Sequence, residues 1–390
     1  MRKSLIALLI VLCCVGSAAA VEVTLKDVGM SLQVYGYIRG DVAYDSQRTA
    51  VGDLAFFVLP HVNGEDDAQT SFTARQTRFG LKLAGPDSET WKTTGRLEMD
   101  FYGRNDSANS AHPRMRLAYV NLAHDSGFAV RAGQDWDTFV AVIPRIVNFS
   151  YLADAGALGL RRPQVRLSQD LKVAENTKLS VKVAVAQTIG QDLDGGGMDD
   201  GADAELPTVQ WNLGLSQKLW CEKSARIAFS GHFGQETMDT CVSNKIVELD
   251  TDDYDTWSAQ ASLYLPLTKC LAVQGTFWTG ENLDTYFGGI GQGVNMTLDT
   301  AIAAQGGWAQ LLYDPTEKLG FAAGYSMDDP EDEDLNAGQR AKNQNILVNG
   351  SYKINKAVTV FAEYSHMTTD YLEGEDAEND RVQLAMQYNF

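Results

Sequence analysis

The sequence predicts an all-β fold, a 16-stranded antiparallel transmembrane β-barrel, and three observations carry that prediction. From Leu32 onward, apolar and polar residues alternate over ten to thirteen positions at a time, the period of strands with one apolar face. Short connections alternate strictly with long ones along the chain. The chain ends on RVQLAMQYNF, in which every second residue is apolar up to Phe390. The alternating stretches exceed the five or six residues usual in globular sheets and approach the ~9 to 11 that cross a bilayer at a tilt.

Ahead of the barrel, residues 1–20 carry Arg2 and Lys3, an apolar run from Leu5 to Val15, and Ala18-Ala19-Ala20. That is the layout of a cleavable secretory signal peptide, and its apolar run is too short for an anchoring helix. Bulky Leu12 before Cys13 disfavours a lipoprotein signal. The mature chain is expected to begin at Val21, with residues 21–31 a short periplasmic segment and residues 32–390 the barrel. No later run approaches the ~18 apolar residues of a membrane-spanning helix. With Arg2 and Lys3 removed, 30 Lys plus Arg stand against 51 Asp plus Glu, a net charge of −21. Such an excess argues against nucleic-acid partners, which need a basic footprint. Of five cysteines, Cys221, Cys241 and Cys270 remain after the leader, too few for a disulfide scaffold. Cys221 and Cys270 fall at predicted turns two strands apart, a spacing that strains disulfide geometry; free thiols are expected.

The strands follow in order. WKTTGRLEMDFY puts Trp91, Leu97, Met99 and Phe101 on one face and Lys92, Arg96, Glu98 and Asp100 on the other. KLSVKVAVAQ repeats the pattern with Leu179, Val181, Val183 and Val185 against Lys178, Ser180 and Lys182. Sixteen such segments are expected, at 32–44, 71–83, 91–102, 114–124, 127–136, 160–170, 177–189, 207–219, 224–236, 254–266, 270–281, 304–314, 318–328, 342–354, 357–369 and 380–390. Tight turns, such as His124 to Gly127 and Ile354 to Ala357, put all the long loops on the opposite side. An even strand count with loops sorted this way is the organisation of outer-membrane barrels. A soluble sandwich has no reason to sort its loops.

One long loop breaks the rule that surface loops are polar. DTFVAVIPRIVNFSYLADAGALG, residues 137–159, has only Asp137, Arg145 and Asp154 as charges. A segment this rich in Phe, Val and Ile must be covered, and inside a barrel the cover is the wall.

Other long loops are acidic: Gln191 to Glu205, Glu248 to Asp255, Asp328 to Asp334 and Glu373 to Asp380. Two readings stay open. Either they form a solvated surface, or Asp192, Asp194, Asp199 and Asp200, amid glycines, hold a structural Ca2+, although their spacing does not match a calcium loop. No other cofactor is expected.

The terminal Tyr388 and Phe390 resemble the assembly signal of bacterial outer-membrane barrels. With LQVYGYIRGD (Leu32 to Asp41), RQTRFGLKL (Arg75 to Leu83), GRLEMDFYG (Gly95 to Gly103), PRMRLAYVNL (Pro113 to Leu122), RAGQDWDTF (Arg131 to Phe139) and RRPQVRLS (Arg161 to Ser168), most of the mature chain resembles the bacterial trimeric porins, closest to the DcaP-like family. The resemblance implies a homotrimeric channel in the outer membrane, in contact with lipid and lipopolysaccharide. It also implies a third long loop bent into the lumen and small, often anionic solutes as cargo. Residues 137–159 occupy that third position and are the expected constriction loop.

Independently of the resemblance, alternate residues point inward. Parity places Arg39, Arg78, Arg96, Arg116, Arg131 and Arg166 in the lumen, one on each of the first six strands. An arginine facing lipid at mid-bilayer costs roughly 2–4 kcal/mol, so six together face water. In the fourth strand Arg116 shares its parity with Ala118, Val120 and Leu122, which muddles that assignment. Strands ten to thirteen offer neutral Ser258, Gln260, Ser262, Gln274 and Thr276 instead. Glu98, Asp41, Asp100 and Asp135 stand near enough in sequence to neutralise the arginines in wall salt bridges. Facing the basic wall, the constriction loop supplies Arg145 and Phe149 with its aliphatics.

The expected function is passive diffusion of small hydrophilic solutes through a channel favouring organic anions such as dicarboxylates or aromatic carboxylates. A non-selective porin, or one made cation-preferring by its acidic outer loops, remains open. A barrel enzyme would need a positioned Ser-His pair, and Ser365 and His366, adjacent on a strand, point to opposite faces. No enzymatic activity and no catalytic residue is expected. Gly36, Gly40 and Gly95, on outward faces of early strands, either permit close packing of subunits or allow barrel curvature.

Overall fold

The computed structural model describes residues 21–25, 29–61, 64, 66–103, 110–190, 204, 206–219, 222–238, 241–242, 245–246 and 252–390. The leader, Cys221 and the aspartates at 192, 194, 199 and 200 lie outside the described residues.

Sixteen staves close into one antiparallel barrel. They are β1 (Met30–Asp45), β2 in two pieces (Gln69–Thr73 and Arg78–Ala84), β3 (Trp91–Asp100), β4 (Arg114–His124), β5 (Phe128–Trp136), β6 (Arg161–Ala174), β7 (Thr177–Ala186) and β8 (Thr208–Lys218). Then come β9 (Ser224–Met238), β10 (Asp252–Pro266), β11 (Leu271–Glu281), β12 (Ala303–Tyr313), β13 (Leu319–Pro330), β14 (Arg340–Lys353), β15 (Val358–Tyr371) and β16 (Ala377–Asn389). Each pairs with its sequence neighbour, and β16 closes on β1 from Tyr37↔Asn389 to Asp45↔Arg381. The strand Val21–Leu25 pairs with Met30 to Val34, continuing the line of β16 along β1. Among the described residues no helix is long and apolar enough to cross a membrane.

The alternation reads out as expected. Val181, Val183 and Val185 are exposed on the outer face, as are Val382, Leu384, Met386 and Tyr388, while Arg381 and Gln383 are buried inside. Two departures have local causes. β2 is interrupted at residues 74–77, where the Thr77 N–H donates to the Ala74 carbonyl at 3.0 Å. The Thr77 hydroxyl oxygen then accepts the Arg39 N–H at 3.1 Å in place of a ladder bond. In β4 the register against β3 slips between Glu98↔Leu117 and Met99↔Met115. The extra residue of this β-bulge resolves the parity conflict of the fourth strand: Met115, Val120 and Leu122 stay outside and Arg116 turns in, 2 % exposed.

Among the described residues, three connections enter the lumen. Residues 137–160 enter as expected. So does part of the β1–β2 connection, with Val58 fully buried, and the β11–β12 connection from Asn282 to Ile302, in which Leu283, Tyr286 and Ile290 are fully buried. Phe139 and Leu158 pack with Trp278, Leu283 and Tyr286, and Leu152 packs with Trp308 and Leu347 of the wall.

Candidate functional site

Loop 137–159 forms a hoop against the inner wall. Its base is clipped: the Asp137 N–H donates to the Leu160 carbonyl at 2.9 Å, the Leu160 N–H donates to Asp137 Oδ2 at 2.7 Å, and Arg162 pairs with Asp137 Oδ1 at 2.7 Å. From there its backbone is handed around the barrel by wall side chains. Gln210 accepts the Thr138 N–H at 2.6 Å, and Ser230 and Gln260 donate to the Phe139 carbonyl at 2.8 and 3.0 Å. Gln310 accepts from the Arg145 N–H at 2.8 Å and donates to its carbonyl at 3.0 Å. Glu363 accepts the N–H groups of Val147 and Asn148 at 2.7 and 2.9 Å. Buried backbone donors and acceptors need partners. The neutral amides and hydroxyls of the wall opposite the arginines therefore serve the loop backbone rather than open water.

The predicted arginines gather into three groups around carboxylates. Glu98, on β3, is shared by Arg116 at 3.0 Å, Arg96 at 2.8 Å and Arg78 at 3.5 Å, and its Oε2 accepts the Tyr35 hydroxyl at 2.8 Å. Asp100 holds Arg114 at 2.8 Å and Arg116 at 2.9 Å. Asp135 joins Arg131, at 2.5 Å, to Arg166. Arg39 stands apart, paired with Asp41 at 2.8 Å and donating to the Val147 carbonyl of the loop at 2.9 Å. The carboxylates are thus shared and do not pair one to one. On β2 to β6, Arg78, Arg96, Arg114, Arg116, Arg131, Arg161 and Arg166, seven guanidinium groups, surround Glu98, Asp100 and Asp135, so among the described residues this part of the wall keeps a positive excess.

Phe149 links loop and wall. Its ring stacks on Tyr102 at 5.3 Å and lies under Arg116 at 5.2 Å and Arg78 at 5.7 Å. Beside it, an open-sided cavity has Arg114, Arg116, Arg161 and Trp136 on one side. The hoop supplies Val142, Phe149, Tyr151 and Leu158 on the other. The cavity lies beyond the point where β4–β5 pairing stops, at Ala118↔Gln134, where the Gln134 side chain donates to the Met115 carbonyl at 2.9 Å. Arg161 stacks over Trp136 at 4.8 Å, and among the described residues no carboxylate forms an ion pair with it.

A family model described as Gram-negative porin matches residues 5–390. The chain belongs to that porin family. Its fold is similar to the DcaP outer membrane channel of Acinetobacter baumannii, with a TM-score of 0.72 at 20 % identity over 93 % of this chain and 98 % of that one. An anion-selective porin from Comamonas acidovorans matches with a TM-score of 0.58 at 13 % identity over 93 % and 100 % of the two chains. The trimer form of OmpT from Vibrio cholerae matches with a TM-score of 0.56 at 12 % identity, again over 93 % and 100 %. No curated protein matches the sequence. The porin is an outer-membrane channel.

Within the porin, Arg145 does not face the arginine band. It pairs with Asp314 at 2.7 Å, at the short-turn end of β12, and donates to the Phe321 carbonyl at 3.3 Å. The loop therefore descends to the periplasmic half of the barrel before returning. Phe390 exchanges backbone hydrogen bonds with Gly36 at 3.1 and 3.2 Å, while Tyr388 sits exposed on the outer face. A side chain at Gly36 would collide with the Arg78 carbonyl and the Phe390 ring, and one at Gly95 would press on Leu83. Of the three outward glycines only Gly40 leaves open space. Cys270 is a free thiol. Among the described residues no cluster of three His, Cys, Asp or Glu side chains could hold a metal ion. Ser365 is buried inside, whereas His366 lies outside against Asp380 at 3.0 Å.

Sequence reasoning missed Arg114, Arg161, Trp136, the inward part of the β1–β2 connection and the inserted β11–β12 connection. The last was findable: Leu283, Tyr286, Phe287 and Ile290 give that connection the same low-charge, apolar character as residues 137–159. Arg161 was not, because its exposure to the cavity depends on where β4 and β5 part.

Proposed function

We propose that this porin passes small organic anions, preferring dicarboxylates and aromatic carboxylates, as a homotrimer whose outer face meets lipid and lipopolysaccharide, and that it acts as a channel and not as an enzyme. Arg161 carries the reading. It is a guanidinium stacked on Trp136 in the cavity beside Phe149, with no carboxylate partner among the described residues. A solute carboxylate can take its paired N–H donors without first displacing a wall carboxylate. Phe149, Tyr151 and Val142 offer an apolar surface for the hydrocarbon body of the same solute.

Planar-bilayer recordings in a salt gradient test this: the reversal potential should have the sign of anion preference. Arg161→Gln should lower the anion-to-cation permeability ratio about fivefold, the effect of losing roughly 1 kcal/mol of attraction at a partly hydrated site. A cation preference that persists after the outer loops are neutralised overturns the reading. The second reading, a non-selective or cation-preferring pore, is favoured by the exposed acidic run of Glu331, Asp332 and Glu333 at the outer end. Liposome swelling with neutral sugars against dicarboxylates separates the two.

A further inference from the structure

Behind the hoop, on the periplasmic side of the Arg161 cavity, lies a second concavity between the loop and strands β6 to β10. Its floor is a row of small residues in register across four strands: Ser180↔Gly214↔Ala228↔Ser262. Two residues toward the outer end, Lys182 pairs in register with Asn212. Two residues toward the periplasm, Lys178, Ser216 and Arg226 form the next inward row. Backbones of Lys182 and Arg226 are thus separated by about 13 Å along the strands and two inter-strand steps of about 4.8 Å. Their long side chains can reach one bound group between them. Val140, Ala141 and Val142 of the hoop make the roof.

Charge distinguishes this concavity from the arginine band. Lys178 is paired with Asp170 at 2.7 Å, but among the described residues no ion pair joins Lys182 or Arg226 to a carboxylate. The lining therefore carries Lys178, Lys182 and Arg226 against Asp170 alone. Two cations without a contact ion pair, on opposite rims of a small-residue floor and under an aliphatic roof, fit a compact organic di- or trianion with a short hydrocarbon or aromatic body.

We propose that Lys182 and Arg226, beneath Val140–Val142, form a second anion-binding station on the periplasmic side of the constriction. It rests on the channel reading but not on the sign of ion selectivity, so the two fail separately: one is read by reversal potential, the other by sided block.

The test is single-channel recording with trimesate, a rigid aromatic trianion, added to one chamber at a time. The proposal expects stronger current block from the periplasmic side. Lys182→Gln with Arg226→Gln should weaken that block by on the order of tenfold or more, while unheated gel mobility shows the barrel intact. Lys82→Gln removes another lumen cation, one that lies over Tyr35 at 4.8 Å outside this concavity. If Lys82→Gln weakens the block as much as the double variant, a diffuse field is acting and the proposal falls. It also falls if block is equal from the two sides, or if the double variant leaves it unchanged.

Discussion

Glu98 is the residue on which the arginine band turns. It is 2 % exposed, yet three guanidinium groups and the Tyr35 hydroxyl converge on it. Removing one partner of a buried ion pair is costly because it leaves charge uncompensated. Glu98→Gln is therefore expected to destabilise the barrel by about 3 kcal/mol and, in molecules that fold, to raise anion preference. A heat-denaturation series on gels and the reversal potential of the same sample check both halves. An unchanged melting temperature would mean that solvent already screens these arginines. Parity alone pointed Glu98 and the arginines inward, because alternate residues of a strand share a face. It could not apportion them, since Glu98 reaches Arg116 only across the β4 bulge.

At the scale of the element, the hoop depends on wall side chains and on one strained charge. Asp154 is buried, and its Oδ1 lacks a hydrogen-bond partner. Burial pushes its carboxyl up to about 7, with Arg340 opposing the shift and Asp284 adding to it. The folded value thus lies above the ordinary 3.8, so the folded loop holds the proton more tightly than the unfolded chain does. Its contribution to stability is full below about 4, declines as pH rises, and is gone above about 7. Protection factors for amide exchange across residues 137–159, with the intrinsic base catalysis of exchange divided out, should be higher at pH 5 than at pH 8, and Asp154→Asn should flatten the difference. An identical pH dependence in that variant would point to another group. The loop's inward fold was legible in its apolar composition. The identity of its partners was not, because Gln310, Asn349 and Glu363 are distant in sequence and ordinary in type.

For the whole molecule, two charge distributions oppose each other: a basic lumen wall and acidic outer loops. Glu373, Glu375 and Asp376 are exposed at the outer end. Neutralising all three should raise anion preference at ~0.1 M salt, where the screening length is about 10 Å, and change little at ~1 M, where it is about 3 Å. Reversal potentials at the two salt concentrations make the comparison. A shift of equal size at both would place those charges within contact range of the permeating ion, contrary to their position at the rim.

The sequence by itself determined the strand count, the outward and inward faces, the sorting of long and short connections, and the presence of an apolar loop needing cover. All of these follow from a local period of two and from composition, which do not require knowledge of distant neighbours. Only the tertiary structure decided which cations remain without a carboxylate partner, that Arg145 pairs with Asp314 instead of facing the band, and that two further connections share the lumen with the hoop. Those outcomes depend on cross-barrel distances and on where pairing breaks between β4 and β5. Closure brings together side chains that are far apart along the chain, and no local pattern encodes such a meeting.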